Sequence, residues 1–259
     1  MGLAVLGASN FPMLPYCGRL CEGAFRFNEQ LFRYPLNALP ERHSSHGDAW
    51  TRRWTLDYLD HRRAFMTLEE DAQAPLRYEC TQEVMVDPNG VHVCLTIRNA
   101  SPHPIPVGVG IHPYFANRRL ALVTASLPLR WQLDGELLPV SLVDNPDAPT
   151  LLRGQPVTEM PIVCEFAGWD GAATIEWPTL GVRVRVETAP ALTHAVLWVP
   201  QGEDFFCFEP MSHATDALNG HDGRPPGEDF VVLEPQAVHK QRFAFVVDAS
   251  LMHSGAPYG

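Results

Sequence analysis

Asp87-Pro88-Asn89-Gly90-Val91-His92-Val93-Cys94-Leu95-Thr96-Ile97-Arg98 opens on a turn and then alternates apolar and polar residues one for one. Successive side chains of a strand point to opposite faces, so Val91, Val93, Leu95 and Ile97 share a buried face, and His92, Cys94, Thr96 and Arg98 a polar one. Asp87 to Gly90 is the hairpin turn ahead of it, with Gly90 supplying a backbone conformation that other residues resist.

The same period recurs outward from this stretch. Val182, Val184 and Val186 alternate with Arg183, Arg185 and Glu187, and Phe243, Phe245 and Val247 repeat the pattern near the end. Gly168 to Gly171 and Leu180-Gly181 read as further turns. No segment sustains a helical apolar period between good caps, apart from one short turn of helix expected at Ser212 to Leu218. Loops are expected at Pro40 to Asp48, Ser101 to Pro106, Pro139 to Gly154 and Asn219 to Glu228. The economical fold is all-β, a large antiparallel β-sandwich. No repeat, low-complexity block or linker divides the 259 residues, so residues 1–259 are expected to form one domain, with Ser250 to Gly259 a loosely held tail.

Composition narrows the function classes. Hydrophobic residues make up 46% of the chain, enough for a large core, and disorder is excluded. The net charge of -11 repels a phosphate backbone, which argues against nucleic acid as a partner. No stretch is apolar and long enough to span a bilayer, and Met1 to Tyr16 lacks a basic region and a cleavage site. No membrane partner is expected, and a cytoplasmic location follows by default. The cysteines Cys17, Cys21, Cys80, Cys94, Cys164 and Cys207 are scattered and read as buried free thiols. Cys17 and Cys21 have no second close Cys pair to complete a zinc site, and His43 and His46 sit three apart in a Ser/Gly loop instead of on a helix face. Neither metal nor cofactor is expected.

Three polar residues sit in compact motifs. His46 lies in Arg42-His43-Ser44-Ser45-His46-Gly47-Asp48, followed by Trp50 and Trp54. His112 lies in Gly110-Ile111-His112-Pro113-Tyr114-Phe115. Glu209 follows Phe205-Phe206-Cys207-Phe208 and precedes Pro210, a carboxylate set at a strand end beside apolar surface. A lone histidine is more often a surface or satisfied core residue, so the motifs carry the argument, not the residue type.

These motifs resemble those of the aldose 1-epimerase (galactose mutarotase-like) family, from about Pro15 to Val247. Pro15-Tyr16-Cys17-Gly18-Arg19-Leu20 ahead of Gly23-Ala24-Phe25-Arg26-Phe27 is similar to the family's arginine segment, which makes Arg19 a sugar-contacting residue. Ser45-His46-Gly47 with Trp50 resembles its His-Gly motif, with His46 binding substrate. His112-Pro113-Tyr114-Phe115 resembles the catalytic histidine motif, and Phe208-Glu209-Pro210-Met211 the catalytic glutamate motif. The resemblance implies a supersandwich with a sugar cleft on one sheet, in which His112 and Glu209 interconvert the α and β anomers of a free aldose by acid–base ring opening and reclosure. Trp50 or Trp169 would stack on the sugar. The family's Asp before Phe-Ala-Gly-Trp-Asp-Gly is absent, leaving Glu165 or Asp170 to substitute, and Gly18 stands where many relatives carry Asn.

Only Met1 to Leu14 precede the arginine motif, where relatives carry one or two further strands, so either the fold tolerates their loss or the natural chain begins upstream. A missing strand would expose a sheet edge and favour association. The oligomeric state stays open between monomer and homodimer. The rival functions are a non-catalytic sugar-binding protein on the same fold and another enzyme, either a glycosidase or an epimerase for a phosphorylated or otherwise anionic sugar. A glycosidase needs two carboxylates, and only Glu209 has a strong motif. A sugar phosphate needs a basic cluster such as Arg52 and Arg53 or Arg62 and Arg63.

Overall fold

The computed structural model describes residues 9–248. The expected tail, Ser250 to Gly259, lies outside the described residues. Two large antiparallel sheets dominate. One has nine strands in the order Gln155–Pro156, Leu122–Ala125, Ala172–Trp177, Val182–Ala189, Val238–Val247, Gly90–Asn99, Tyr78–Asp87, Arg63–Leu68 and Thr55–Leu59. The other has eight: Pro12–Met13, Gly110–Ile111, Phe205–Met211, His194–Trp198, Val163–Ala167, Leu129–Leu133 and Pro139–Asp144, with Tyr114–Ala116 also paired to Phe205–Met211.

The stretch that opens the sequence argument behaves as its alternation demands. Val93, Leu95 and Ile97 are buried while His92, Cys94, Thr96 and Arg98 are partly exposed. The Asp87 carboxylate accepts the Asn89 and Gly90 N–H groups at 2.7 and 3.1 Å and so holds the turn. Together with Val123, Ile175, Val186 and Phe243, this face packs against Phe166, Ala195, Leu197, Phe206 and Phe208 of the eight-stranded sheet to form the main core.

Alternation then decides what the opposite face of the eight-stranded sheet carries. Phe206 and Phe208 point into the main core, so Cys207, Glu209 and Met211 point away from it. A second, smaller apolar cluster of Phe11, Met13, Cys17, Val196 and Met211 lies on that far face, and Glu209 stands among its residues.

Several local expectations are corrected. Pro139 to Gly154 is not one loop: Pro139–Asp144 is the last strand of the eight-stranded sheet and Ala148–Leu151 a helical turn. Proline is tolerated at the start of an edge strand, where its missing N–H costs no ladder bond. Ser44–Ser45 pairs with Arg19–Leu20 inside the expected loop 40–48, and Ile105–Val107 begins inside 101–106. Ser212 to Leu218 forms a bend followed by one turn from Thr215 instead of a helix, and its polar groups bond elsewhere: the Ser212 hydroxyl accepts the Val109 N–H at 2.9 Å, and the Asp216 carboxylate accepts that of Cys21, also at 2.9 Å. All six cysteines are free thiols, but Cys21 and Cys94 are only partly buried, Cys94 because it lies on the polar side of its strand. No described helix is long and apolar enough to cross a membrane.

Candidate active site

His112 and Glu209 arrive from different strands and meet on the far face of the eight-stranded sheet. His112 follows Gly110–Ile111, and its Nε2 lies 3.2 Å from Glu209 Oε1. Both are almost fully buried, at 5% and 3% exposure, which makes charge on either one costly. Burial holds the His112 imidazolium down to about 3. It pushes Glu209 up to about 8, with the nearby Glu165 adding to the rise and Arg19 opposing it. The pair therefore carries one titratable proton near neutral pH, with neutral imidazole beside carboxylic acid favoured over imidazolium beside carboxylate.

His46 comes from the loop after Ser44–Ser45. Its ring meets the His112 ring edge-on at a centroid distance of 5.3 Å. The Gly18 N–H donates to His46 Nδ1 at 3.1 Å, which places the ring proton of neutral His46 on Nε2 and leaves that atom as a donor. Burial and the charges of His112 and Arg19 hold its pKa well below the ordinary value, so it stays neutral. The backbone here is unusual: His46 has φ +58° and Gly47 +66°. A Cβ on Gly47 would sit 1.8 Å from the Leu14 carbonyl oxygen, so glycine is required where the loop crosses that segment.

Aromatic rings wall the cluster. Trp50 stacks on Phe11 at 5.5 Å, Phe11 on His112 at 4.6 Å, and His112 on Tyr114 at 4.9 Å. The Trp50 indole N–H donates to the Ser45 carbonyl at 2.9 Å, tying the wall to the His46 loop. Arg19 pairs through its backbone with Ser45, and its guanidinium Nη2 donates to Glu41 Oε1 at 3.1 Å. His46, His112 and Glu209 are the described residues whose ligand-type atoms cluster within 4.8 Å, so a cation, if one were held, would sit there.

Comparison with known proteins shows the family. The family model for aldose 1-epimerase matches residues 4–245. The uncharacterized protein YphB of Escherichia coli (strain K12) is 31% identical over 244 residues, covering 88% of this chain and 80% of that protein. The chain belongs to the aldose 1-epimerase family. A structure from Escherichia coli K12, provisionally named an aldose 1-epimerase, superposes with a TM-score of 0.86 at 25% identity, over 94% of this chain and 85% of that one. A galactose mutarotase-like protein from Clostridium acetobutylicum gives 0.80 at 18% identity, over 92% and 79%, a likeness of fold.

Within this family member the structure brings together Arg19, His46, Trp50, His112 and Glu209, but not Trp169 or Asp170. Trp169 is buried on the main-core side, edge-on to Phe208 at 5.5 Å with its N–H donating to the Ala172 carbonyl, which makes it packing and not a sugar platform. Asp170 is exposed in the turn after it, where it accepts the Ala172 N–H. It borders a groove of about 460 Å³ on the outer side of the nine-stranded sheet, along with Lys240 and Arg242. The His112–Glu209 pair lies away from that groove, on the other sheet.

Of the two acidic candidates it is Glu165 that faces the site. It pairs with Val196, which pairs with Glu209, and residues paired across antiparallel strands share a face. Its carboxylate accepts the Thr215 N–H at 2.6 Å, and burial pushes it up to about 7. Gly18 has φ +67°, and a Cβ there would lie 2.1 Å from Thr215 Oγ1, so a side chain at this position would require Thr215 to shift. Glu41 and Phe11 carried no motif in the sequence. Tyr114 did carry a signal, since it lies two residues from His112 across Pro113.

Proposed function

We propose that this chain is an aldose 1-epimerase that interconverts the α and β anomers of a free aldose, with Glu209 and His112 as its proton carriers. The observation that carries the reading is the 3.2 Å approach of His112 Nε2 to Glu209 Oε1 in a nearly dry setting.

Opening a cyclic hemiacetal takes a proton from the anomeric hydroxyl and gives one to the ring oxygen. Glu209 as carboxylate removes the first, and His112 as imidazolium supplies the second. The pair is then carboxylic acid beside neutral imidazole, the arrangement that burial favours. Rotation of the open chain about C1–C2 presents the other carbonyl face, and closure returns both protons. One proton shared by the pair thus serves the whole cycle, with no change in the net charge of the site. The positive field of Arg19 favours the Glu209 carboxylate and so opposes, without cancelling, the preference for the neutral arrangement.

His46 Nε2 and Arg19 would donate to sugar hydroxyls, and Trp50, partly exposed beside Phe11, would meet the apolar face of the ring. Of the basic pairs that a sugar phosphate would call for, one member of each is engaged elsewhere: Arg52 lies 3.4 Å from Asp48, and Arg63 lies 2.6 Å from Glu83.

The test is polarimetry on freshly dissolved α-D-glucose and α-D-galactose, extended to other aldoses by anomeric exchange NMR. Wild type is expected to speed equilibration. His112→Ala and Glu209→Ala, still folded by circular dichroism, should lose roughly 10²–10⁴-fold. Sugar binding without acceleration across the panel would leave a binding protein instead.

A further inference from the structure

Arg19 is not a bare cation. Its Nη2 donates to Glu41 Oε1 at 3.1 Å, and its Nε lies 3.1 Å from Glu41 Oε2 without hydrogen-bond alignment. Two features follow. Among the described residues Nη1 has no partner, so Arg19 keeps a donor edge. Glu41 Oε2 is buried yet accepts no aligned hydrogen bond, so an acceptor is left under-satisfied in a place where that is costly.

A sugar hydroxyl both donates and accepts, whereas a carboxylate or phosphate only accepts and brings negative charge. The Arg19 donor edge beside the exposed part of the Glu41 carboxylate, whose side chain is 40% exposed, therefore suits neighbouring neutral hydroxyls, while an anionic group would meet the Glu41 charge at short range. The surroundings reinforce this. Glu165 and Glu209 lie on the same face, Arg19 is the cation whose field reaches Glu209, and the other positive group near Glu165, His221, is paired with Asp216 at 3.2 Å, so spending Arg19 on Glu41 leaves no unpaired cation there for an anion. The same loop that carries Glu41 continues into Ser44–Ser45 and His46, which sets the Arg19–Glu41 pair beside the proposed sugar-binding histidine.

We infer that Glu41 is a specificity-determining residue that restricts the site to uncharged sugars by occupying Arg19 and offering its own oxygen to a hydroxyl. This rests on the proposed sugar site. Its own content is the discrimination between neutral and anionic sugars of otherwise equal shape.

The experiment compares kcat/KM by anomeric exchange NMR for D-glucose against D-glucuronate and D-galactose against D-galacturonate, in wild type, Glu41→Gln and Glu41→Asp. Wild type should prefer the neutral sugar by at least roughly tenfold. Glu41→Gln should cut that preference by roughly tenfold, with a rise in the absolute value for the uronate, and Glu41→Asp should retain most of it. A preference that moves less than about twofold in Glu41→Gln overturns the inference. If no protein accelerates any sugar, the catalytic reading fails and the same four sugars are compared by ligand-observed NMR titration. There, lost discrimination in Glu41→Gln supports the role of Glu41, and unchanged discrimination or no binding at all overturns it.

Discussion

Glu165 and Glu209 lie on one face of one sheet, two strands apart, with Val196 between them in register. Both are buried, and each is held above the ordinary carboxylate range chiefly by that burial, to about 7 and about 8. Glu165 raises Glu209 further because two negative charges on the same dry surface oppose each other. The basicity of the proposed catalytic carboxylate is therefore a property of the sheet, not of residue 209 alone.

Activity should follow the one-proton state of the His112–Glu209 pair. It is lost at high pH when the pair surrenders that proton, with a limb near 8, and at low pH when it gains a second, well below the ordinary histidine value of 6.5. A pH profile of kcat/KM, corrected for the uncatalysed rate, checks this. An acid limb at 6.5 would mean that His112 titrates as an exposed residue.

Stability should show the same carboxylate with a definite sign. The folded state binds its Glu209 proton up to about 8, whereas the unfolded chain releases it near 4.5. The contribution is complete below 4.5 and is lost as pH rises through 8. Glu209→Gln has no proton to surrender, so it should match wild type near pH 4.5 and exceed it at pH 9 by on the order of a few kcal/mol. Thermal melts across this range decide it, and a gap that does not widen with pH would sink the argument.

His46 should act on binding more than on chemistry. His46→Ala removes the Nε2–H donor and should raise KM by roughly two- to tenfold, the worth of one hydrogen bond, with kcat little changed. A large fall in kcat at constant KM would instead place His46 among the proton carriers.

Gly47→Ala should destabilise the fold by at least about 2 kcal/mol, since it combines a left-handed backbone with a Cβ driven into the Leu14 carbonyl. Urea unfolding measures it. An effect within about 0.5 kcal/mol would mean that the loop moves freely.

The two tryptophans should separate cleanly. Trp169→Ala removes a fully buried core ring and should cost about 3–5 kcal/mol with KM unchanged in the folded fraction. Trp50→Ala, at a partly exposed position, should raise KM severalfold at a smaller cost in stability. The reverse pattern would return Trp169 to the site.

The alternation of Val91 to Arg98 was enough to assign strands, because a period of two has a single physical meaning on a pleated sheet. The turn at Asp87 to Gly90 was equally legible, since its residues carry their own conformational preferences. Local motifs likewise marked Arg19, His46, Trp50, His112 and Glu209, and the structure gathers all five. Pro139–Asp144 was misread as loop because a proline at its start resembles a breaker until the edge position is known.

What no local reading decides is which side of a strand faces which neighbour. Trp169 and Glu165 lie four residues apart in one motif-bearing stretch, yet Trp169 packs with Phe208 in the main core and Glu165 shares the opposite face with Glu209. That choice depends on the pairing of strands distant in sequence. The partnership of Arg19 with Glu41 depends likewise on the path of the loop between them, and the shifted acidity of His112 and Glu209 on how completely the folded chain removes water. Residue types and their spacing specified the strands and the chemistry on offer; long-range pairing and burial alone placed the charges and fixed their protonation.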